Sequence, residues 1–236
     1  MRRALQSLIL WGRGWSVFLL GAPVIILLSR FSGRKRLFRW IRTWCRLVLR
    51  AVGIRVEVLG AFPPVDSGPV IIVAPHVSIF DPIVLGSIVP WPVTGVEFDS
   101  HFTWPVYGAI IRQLGNIPIS HESPHRSRQS LHEAAERLRM GERLVILPEG
   151  HRTRTGRRRP FGLWAFRLAA RTGVPILPLA FEGAWERHHV GSWLLQPGVW
   201  RVRVLPLTYP LGVHRRAAES LKRAAEAAID GAFEKI

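Results

Sequence analysis

Apolar positions fall first in a run, then along one helical face, then in short bursts. Residues 8–28 are mostly apolar, interrupted by Gly12, Arg13, Gly14, Gly21 and Pro23. A spanning helix needs about 20 such residues, so the run is long enough to cross a bilayer. Arg13 and the helix breakers fit equally well a bent, shallow segment that enters without crossing. Over residues 34–52 the period becomes helical. Arg36, Arg39, Arg42, Arg46 and Arg50 recur at steps of three or four, with Leu37, Phe38, Trp40, Ile41, Trp44, Leu47 and Val48 between them. This reads as a basic amphipathic helix on an anionic bilayer surface, its tryptophans at headgroup depth.

Past this point strands and helices alternate. Residues 54–59 switch between apolar and polar and predict a strand, followed by a proline-containing turn over 60–68. Residues 70–73 are continuously apolar and predict a buried strand that Pro75 ends. Asp81 followed by Pro82 reads as an N-cap with proline at the first helical position. Residues 90–107 read as an aromatic loop region and 109–114 as apolar filler, with a strand at 116–119. A helix over 127–140 stops at Gly141, a strand begins at Leu144, and a helix over 161–171 stops at Gly173. A proline-punctuated strand follows over 174–181, then an alternating strand over 199–205 that would suit a sheet edge, and an alanine-rich helix over 215–233. His188 and His189, adjacent and pointing differently, read as a surface turn rather than a metal site. The alternation predicts an α/β fold: a mixed, largely parallel sheet flanked by helices, with ligands at the strands' carboxyl ends and an N-terminal membrane-associated helical segment. Residues 1–52 read as the attachment segment and residues 53–236 as one globular domain.

Two windows carry candidate chemistry. After the strand at 70–73 come His76 and Asp81. Five residues turn a helix by roughly 500°, so these two can meet only across a turn. There the carboxylate would fix the imidazole tautomer and leave the other ring nitrogen free as a general base. The second window, Leu144 to Thr153, also stops an apolar strand at a proline and opens into a polar loop. Gly150 permits close backbone approach and Arg152 has the donor geometry for phosphate.

His76 with Asp81, followed downstream by Pro148-Glu149-Gly150-His151-Arg152, resembles the glycerolipid acyltransferase family typified by 1-acylglycerol-3-phosphate acyltransferase. Gly115-Asn116-Ile117-Pro118-Ile119 resembles that family's second block, and Val174-Pro175-Ile176-Leu177-Pro178-Leu179 its fourth. The resemblance implies a membrane-associated O-acyltransferase of phospholipid biosynthesis, with acyl-CoA or acyl-ACP as co-substrate and a lysophospholipid as acceptor. His76 and Asp81 would be catalytic, while Glu149, Gly150 and Arg152 would bind the acceptor, with no metal and no organic cofactor. Ser78 lacks the glycine-flanked elbow of a serine nucleophile, so transfer would be direct. Three positions in two blocks depart from the family. Where the second block usually continues as Asp-Arg stand Ser120 and His121, and His151 stands where threonine or serine is common. Arg126, Arg128 or the run Arg157, Arg158 and Arg159 are candidates for the missing charge.

Composition narrows the partners. The 236 residues carry a formal charge of +17, which implies an anionic partner. Acidic lipid, an acidic acyl carrier protein and nucleic acid all qualify on charge alone. No recognised nucleic-acid fold signature accompanies it, so no nucleic acid is expected. If the apolar run crosses a bilayer, the heavier charge after it puts the catalytic body on the cytoplasmic side. Cys45 is the only cysteine, which excludes an internal disulfide. The rival readings are an acyltransferase for another lysophospholipid or a glycolipid, and a non-catalytic basic module for membranes or nucleic acid.

Overall fold

The structure, a computed structural model, describes residues 1–120 and 122–233. Helices α1 (Arg2–Phe31) and α2 (Arg34–Ala51) lead the chain. There follow β1 (Ile54–Leu59), β2 (Ile71–Val73), α3 (Asp81–Ile88), β3 (Thr94–Phe98), α4 (Tyr107–Gln113), β4 (Ile117–Ile119), α5 (Pro124–Arg139), β5 (Leu144–Ile146), α6 (Trp164–Thr172), β6 (Ile176–Glu182), α7 (Ala184–Arg187), β7 (Gly198–Val204) and α8 (Arg215–Asp230). Among the described residues seven strands form one sheet, in the order β1-β7-β6-β2-β5-β3-β4. Neighbours from β6 to β4 are all parallel, while β7 is antiparallel to β6 and parallel to β1. The mixed, largely parallel sheet expected from the alternation is therefore present. One expectation fails: β7 is interior rather than at an edge, because its inward residues Trp200 and Val202 are fully buried and β1 covers its far side.

The continuous apolar run of β2 follows from helices on both faces of the sheet. Ile71 and Val73 join one core with Ala134 and Leu138 of α5, Phe166 of α6 and Leu221 of α8. Val70, Ile72 and Ala74 point the other way, into a second core with Leu85 of α3, Leu49 of α2 and Leu10 of α1. Each side chain of the strand is thus assigned to one of two layers by the period of two. A strand missing from the sequence reading, β3, lies in the stretch taken as loop. Its polar residues find partners beyond the strand: Thr94 Oγ1 donates to Glu142 at 2.8 Å, and Glu97 accepts from the Tyr107 hydroxyl at 2.8 Å and from Asn116 Nδ2 at 3.0 Å. The apolar filler after it is α4.

The front end also departs from expectation. The glycines and proline within residues 8–28 do not break the helix, and α1 runs unbroken through Pro23. Gly14 and Gly21 instead serve close packing: a Cβ at either would collide with Val52 or with the Trp44 indole of α2. α1 is fastened to the body toward both ends. Trp11 Nε1 donates to the Trp193 carbonyl at 2.7 Å, and Ser29 Oγ donates to Gln113 at 3.1 Å. The apolar face of α2 does not look outward either. Leu37, Phe38, Ile41, Trp44 and Val48 are buried, most of them in a small core with α1. This is a correction to the reading of both tryptophans at headgroup depth, since only Trp40 of α2 stays exposed. What the helix pair leaves outside is an apolar row on α1, including Leu8, Leu19, Leu20, Val24 and Leu27, and on α2 the exposed Arg36, Arg39 and Arg50, while Arg34 pairs with Glu142 and Arg46 donates to the Ser87 carbonyl.

Replacing Gly21 by leucine forces the Trp44 ring from its seat. Overpacking of this kind costs about 1–3 kcal/mol, and for a chain of this size each kcal/mol lowers Tm by about 2–4 °C. Gly12, with nothing near its missing Cβ, accepts alanine without loss. Thermal unfolding of the two variants in one detergent checks the difference.

Candidate active site

β2 and β5 are parallel neighbours, with Val73 paired to Ile146. Their carboxyl ends therefore open side by side, and the two loops that leave them meet. His76 lies in the first loop. Its Nδ1 is 2.6 Å from Asp81 Oδ2, across the turn that leads into α3. Asp81, fully buried, does not cap α3 as Asp-Pro suggested. Its carboxylate turns back to accept from the amides of Val77 at 2.7 Å and Ser78 at 3.0 Å, while Pro82 does sit in the first helical turn. Burial pushes the Asp81 carboxyl above the ordinary range, and the His76 contact and the two amides pull it back. With Asp81 ionised, His76 donates from Nδ1, and Nε2 carries the free lone pair.

The second loop holds the first by its main chain. The His76 amide donates to Glu149 Oε1 at 2.8 Å, and the His76 carbonyl accepts from the Thr153 amide at 2.8 Å. The other oxygen of Glu149 accepts from the Arg159 amide at 2.8 Å. Both oxygens of this buried carboxylate are thereby engaged by backbone. Burial raises its pKa above the usual carboxylate range, against the pull of those two amides. Gly150 adopts φ 73°, the left-handed region where glycine costs least, and lets the chain reverse directly after Glu149. Arg152 follows and, with His151, Thr153, Arg154, Thr155 and Arg159, lines a cleft of about 630 Å³. The residues singled out from sequence thus come together. His76, Asp81 and Glu149 form one bonded set, with Gly150 and Arg152 on the adjoining loop.

One further residue belongs to this set and escaped the sequence reading. His188, expected on a surface turn, is buried, and its Nδ1 lies 2.9 Å from the Ser78 hydroxyl. Its ring meets those of Trp11 and Phe80 edge-on, each at 5.5 Å. Burial, helped by the nearby Arg152 charge, lowers its pKa to about 4, so the imidazole is neutral at ordinary pH. Nothing in the local sequence around His188 signals this, because its partners come from distant parts of the chain. His189 instead stacks on Trp185 at 4.0 Å. Ser78, fully buried, is placed as a scaffold rather than as a nucleophile. Ser120 is also buried, and His121 lies outside the described residues. Among the described residues no three His, Cys, Asp or Glu side chains gather as a metal site would require.

Comparison with known proteins bears on the family and the fold. The chain is 28% identical over 203 residues to a 1-acyl-sn-glycerol-3-phosphate acyltransferase of Pseudomonas aeruginosa, covering 83% of this chain and 77% of that protein. It is 27% identical to the chloroplastic acyltransferase BAT2 of Brassica napus, covering 73% of this chain and 49% of the relative, so the chain spans about half the length of that plant protein. The fold matches the crystal structure of the 1-acyl-sn-glycerophosphate acyltransferase PlsC from Thermotoga maritima with a TM-score of 0.80 at 20% identity, over 100% of this chain and 98% of that one. A family model described as Acyltransferase matches residues 53–182; that is more than half of the sequence, and the chain belongs to the acyltransferase family.

Proposed function

We propose that the chain transfers a fatty acyl group from a coenzyme A or acyl carrier protein thioester to the hydroxyl of a lysophospholipid, with 1-acylglycerol-3-phosphate as the acceptor and phosphatidic acid as the product. The observation that carries this reading is the His76 imidazole, oriented by buried Asp81 and fixed at both main-chain groups by the second loop. In the proposed reaction His76 Nε2 takes the acceptor's hydroxyl proton while that oxygen attacks the thioester carbonyl carbon. The carbon–sulfur bond then breaks, and the proton passes from the imidazole to the departing thiolate. Asp81 keeps Nδ1 protonated throughout and stabilises the imidazolium that forms in between. Glu149 and Gly150 hold the loop, and Arg152 faces the acceptor's phosphate. The two substrates supply everything consumed, and the family resemblance implies a reaction without metal or organic cofactor.

The exposed apolar row of α1 and the outward arginines of α2 support a seat on an anionic membrane surface, of the kind the cytoplasmic leaflet presents. Because α1 is fastened along the body, we place it lying in the interface rather than crossing it. The runner-up reading keeps the chemistry and changes the acceptor, and Ser120 in the second block favours testing other lysophospholipids alongside the phosphate. A purified sample given labelled acyl-CoA and a panel of acceptors, with products identified by mass, decides between them. Recovery of no acylated lipid from any acceptor would refute the proposed activity.

Three outcomes are expected. His76→Ala lowers turnover by at least ~10², the low end for loss of a general base, with binding to vesicles unchanged. Leu20→Glu combined with Leu27→Glu reduces flotation with anionic vesicles and leaves turnover on micellar acceptor near the parent value. The last concerns His188, neutral in the folded state and protonated near its ordinary pKa when unfolded. Between pH 6.5 and about 4 the unfolded chain binds the extra proton, so stability falls as pH drops through that window and levels off below it. His188→Gln flattens this slope in denaturant titrations at successive pH values.

A further inference from the structure

Where the family's second block usually carries an arginine, this chain has Ser120 and His121, so the charge that would meet an acceptor phosphate has to come from elsewhere. The structure sorts the arginines that sequence offers. Arg158 is committed: it pairs with Asp230 at 2.7 Å and Glu226 at 3.1 Å, and its guanidinium lies over the Phe161 ring. Arg126, on the exposed first turn of α5, faces Asp99 at 3.7 Å. Arg128 Nε donates to the Pro124 carbonyl at 3.4 Å. Arg157 is exposed and contributes its carbonyl to Thr153 Oγ1 at 2.6 Å, but it does not line the cleft beside Arg152. Arg159 does line it, together with Arg154. Among the described residues none of the guanidinium groups of Arg152, Arg154 and Arg159 has a hydrogen-bond or ion-pair partner.

The backbone of all three is anchored to His76: that between Arg152 and Arg154 directly, through the Thr153 amide, and that of Arg159 through the side chain of Glu149. The Arg159 amide and the amide of His76 are bound by the two oxygens of the same carboxylate, each at 2.8 Å. A cation carried on a loop whose backbone is anchored to the general base suits a substrate whose reacting hydroxyl and anionic group are joined by a short covalent frame. Planar guanidinium forks, free of internal partners, suit the oxygens of a phosphate monoester.

We propose that Arg159, flanked by Arg152 and Arg154, forms the clamp for the acceptor's phosphate in place of the second-block arginine. This rests on the acyl-transfer reading above. A donor bearing phosphates could fill the same cleft, and the two sources are separable.

The test uses full-length protein carrying His76→Ala, so that nothing turns over, in a nonionic detergent. It is titrated with 1-acylglycerol-3-phosphate, with phosphate-free monoacylglycerol, and with coenzyme A. The clamp predicts that the phosphate-bearing lipid binds more tightly than monoacylglycerol. Adding Arg159→Ala should remove that preference by about 10- to 100-fold, the range for losing a charged hydrogen bond. Arg159→Lys should restore part of it, and Arg157→Ala, with the same change in net charge, should leave it intact. Thermal unfolding of each variant confirms that the fold is kept. Equal effects of Arg157→Ala and Arg159→Ala, or no effect of either, would overturn the clamp. A loss confined to coenzyme A would also overturn it, by moving the cleft to the donor. Since binding is read without catalysis, the clamp can stand or fall separately from the acyl transfer itself, which is read from turnover of the parent protein.

Discussion

A single carboxylate holds the two halves of the site together. Glu149 sits at the carboxyl end of β5, accepts the His76 amide with one oxygen and the Arg159 amide with the other, and is itself buried. A carboxylate in that position is expensive to bury unless donors surround it. Here the donors are main-chain amides of the two loops that leave β2 and β5. Each side solves the other's problem: the charge gains hydrogen bonds, and the loops gain a fixed point. An unpaired amide or carboxylate in the interior costs roughly 1–3 kcal/mol or more, so the loops cannot part without leaving both unsatisfied. The Thr153 amide on the His76 carbonyl completes the hold.

That arrangement is possible only because β2 and β5, far apart in sequence, are parallel neighbours. Parallel strands put their carboxyl ends on the same side of a sheet, and helices on both faces keep the intervening loops clear of the core. Asp81 then works within its own loop, drawing in the amides of Val77 and Ser78 as well as the His76 ring. The turn that carries His76 and Asp81 is therefore a small polar knot inside an otherwise apolar layer that includes Val77, Phe80 and Leu85.

Much of this was legible from residues alone. The apolar run at 70–73 and its counterpart at 144 gave the two central strands, because a strand covered on both faces needs no polar positions. Gly141 and Gly173 marked helix ends, and Gly173 does take the left-handed conformation at the end of α6. What escaped the sequence was whatever depends on partners from other elements. β3 carries Thr94 and Glu97, polar residues satisfied by Glu142, Tyr107 and Asn116, so its pattern looked like loop. The helical face of α2 was correctly periodic, but periodicity does not say whether a protein or a lipid covers the apolar side, and α1 covers much of it. His188 had no local signal at all, since Ser78 lies 110 positions away. Asp81 showed the limit of cap chemistry: the same carboxylate can serve the helix ahead or the turn behind, and here it serves the turn.

The indole of Trp11 bears on the design of the whole chain. It stacks on Phe80 at 5.6 Å and meets His188 at 5.5 Å, so one residue of the first helix roofs the very turn that presents the imidazole. The first helix and the loops beneath it are consequently not interchangeable parts. A shortened version lacking the first helix would leave an aromatic floor bare to water, and a graft of some other leader would need its own ring at that spot to shelter it.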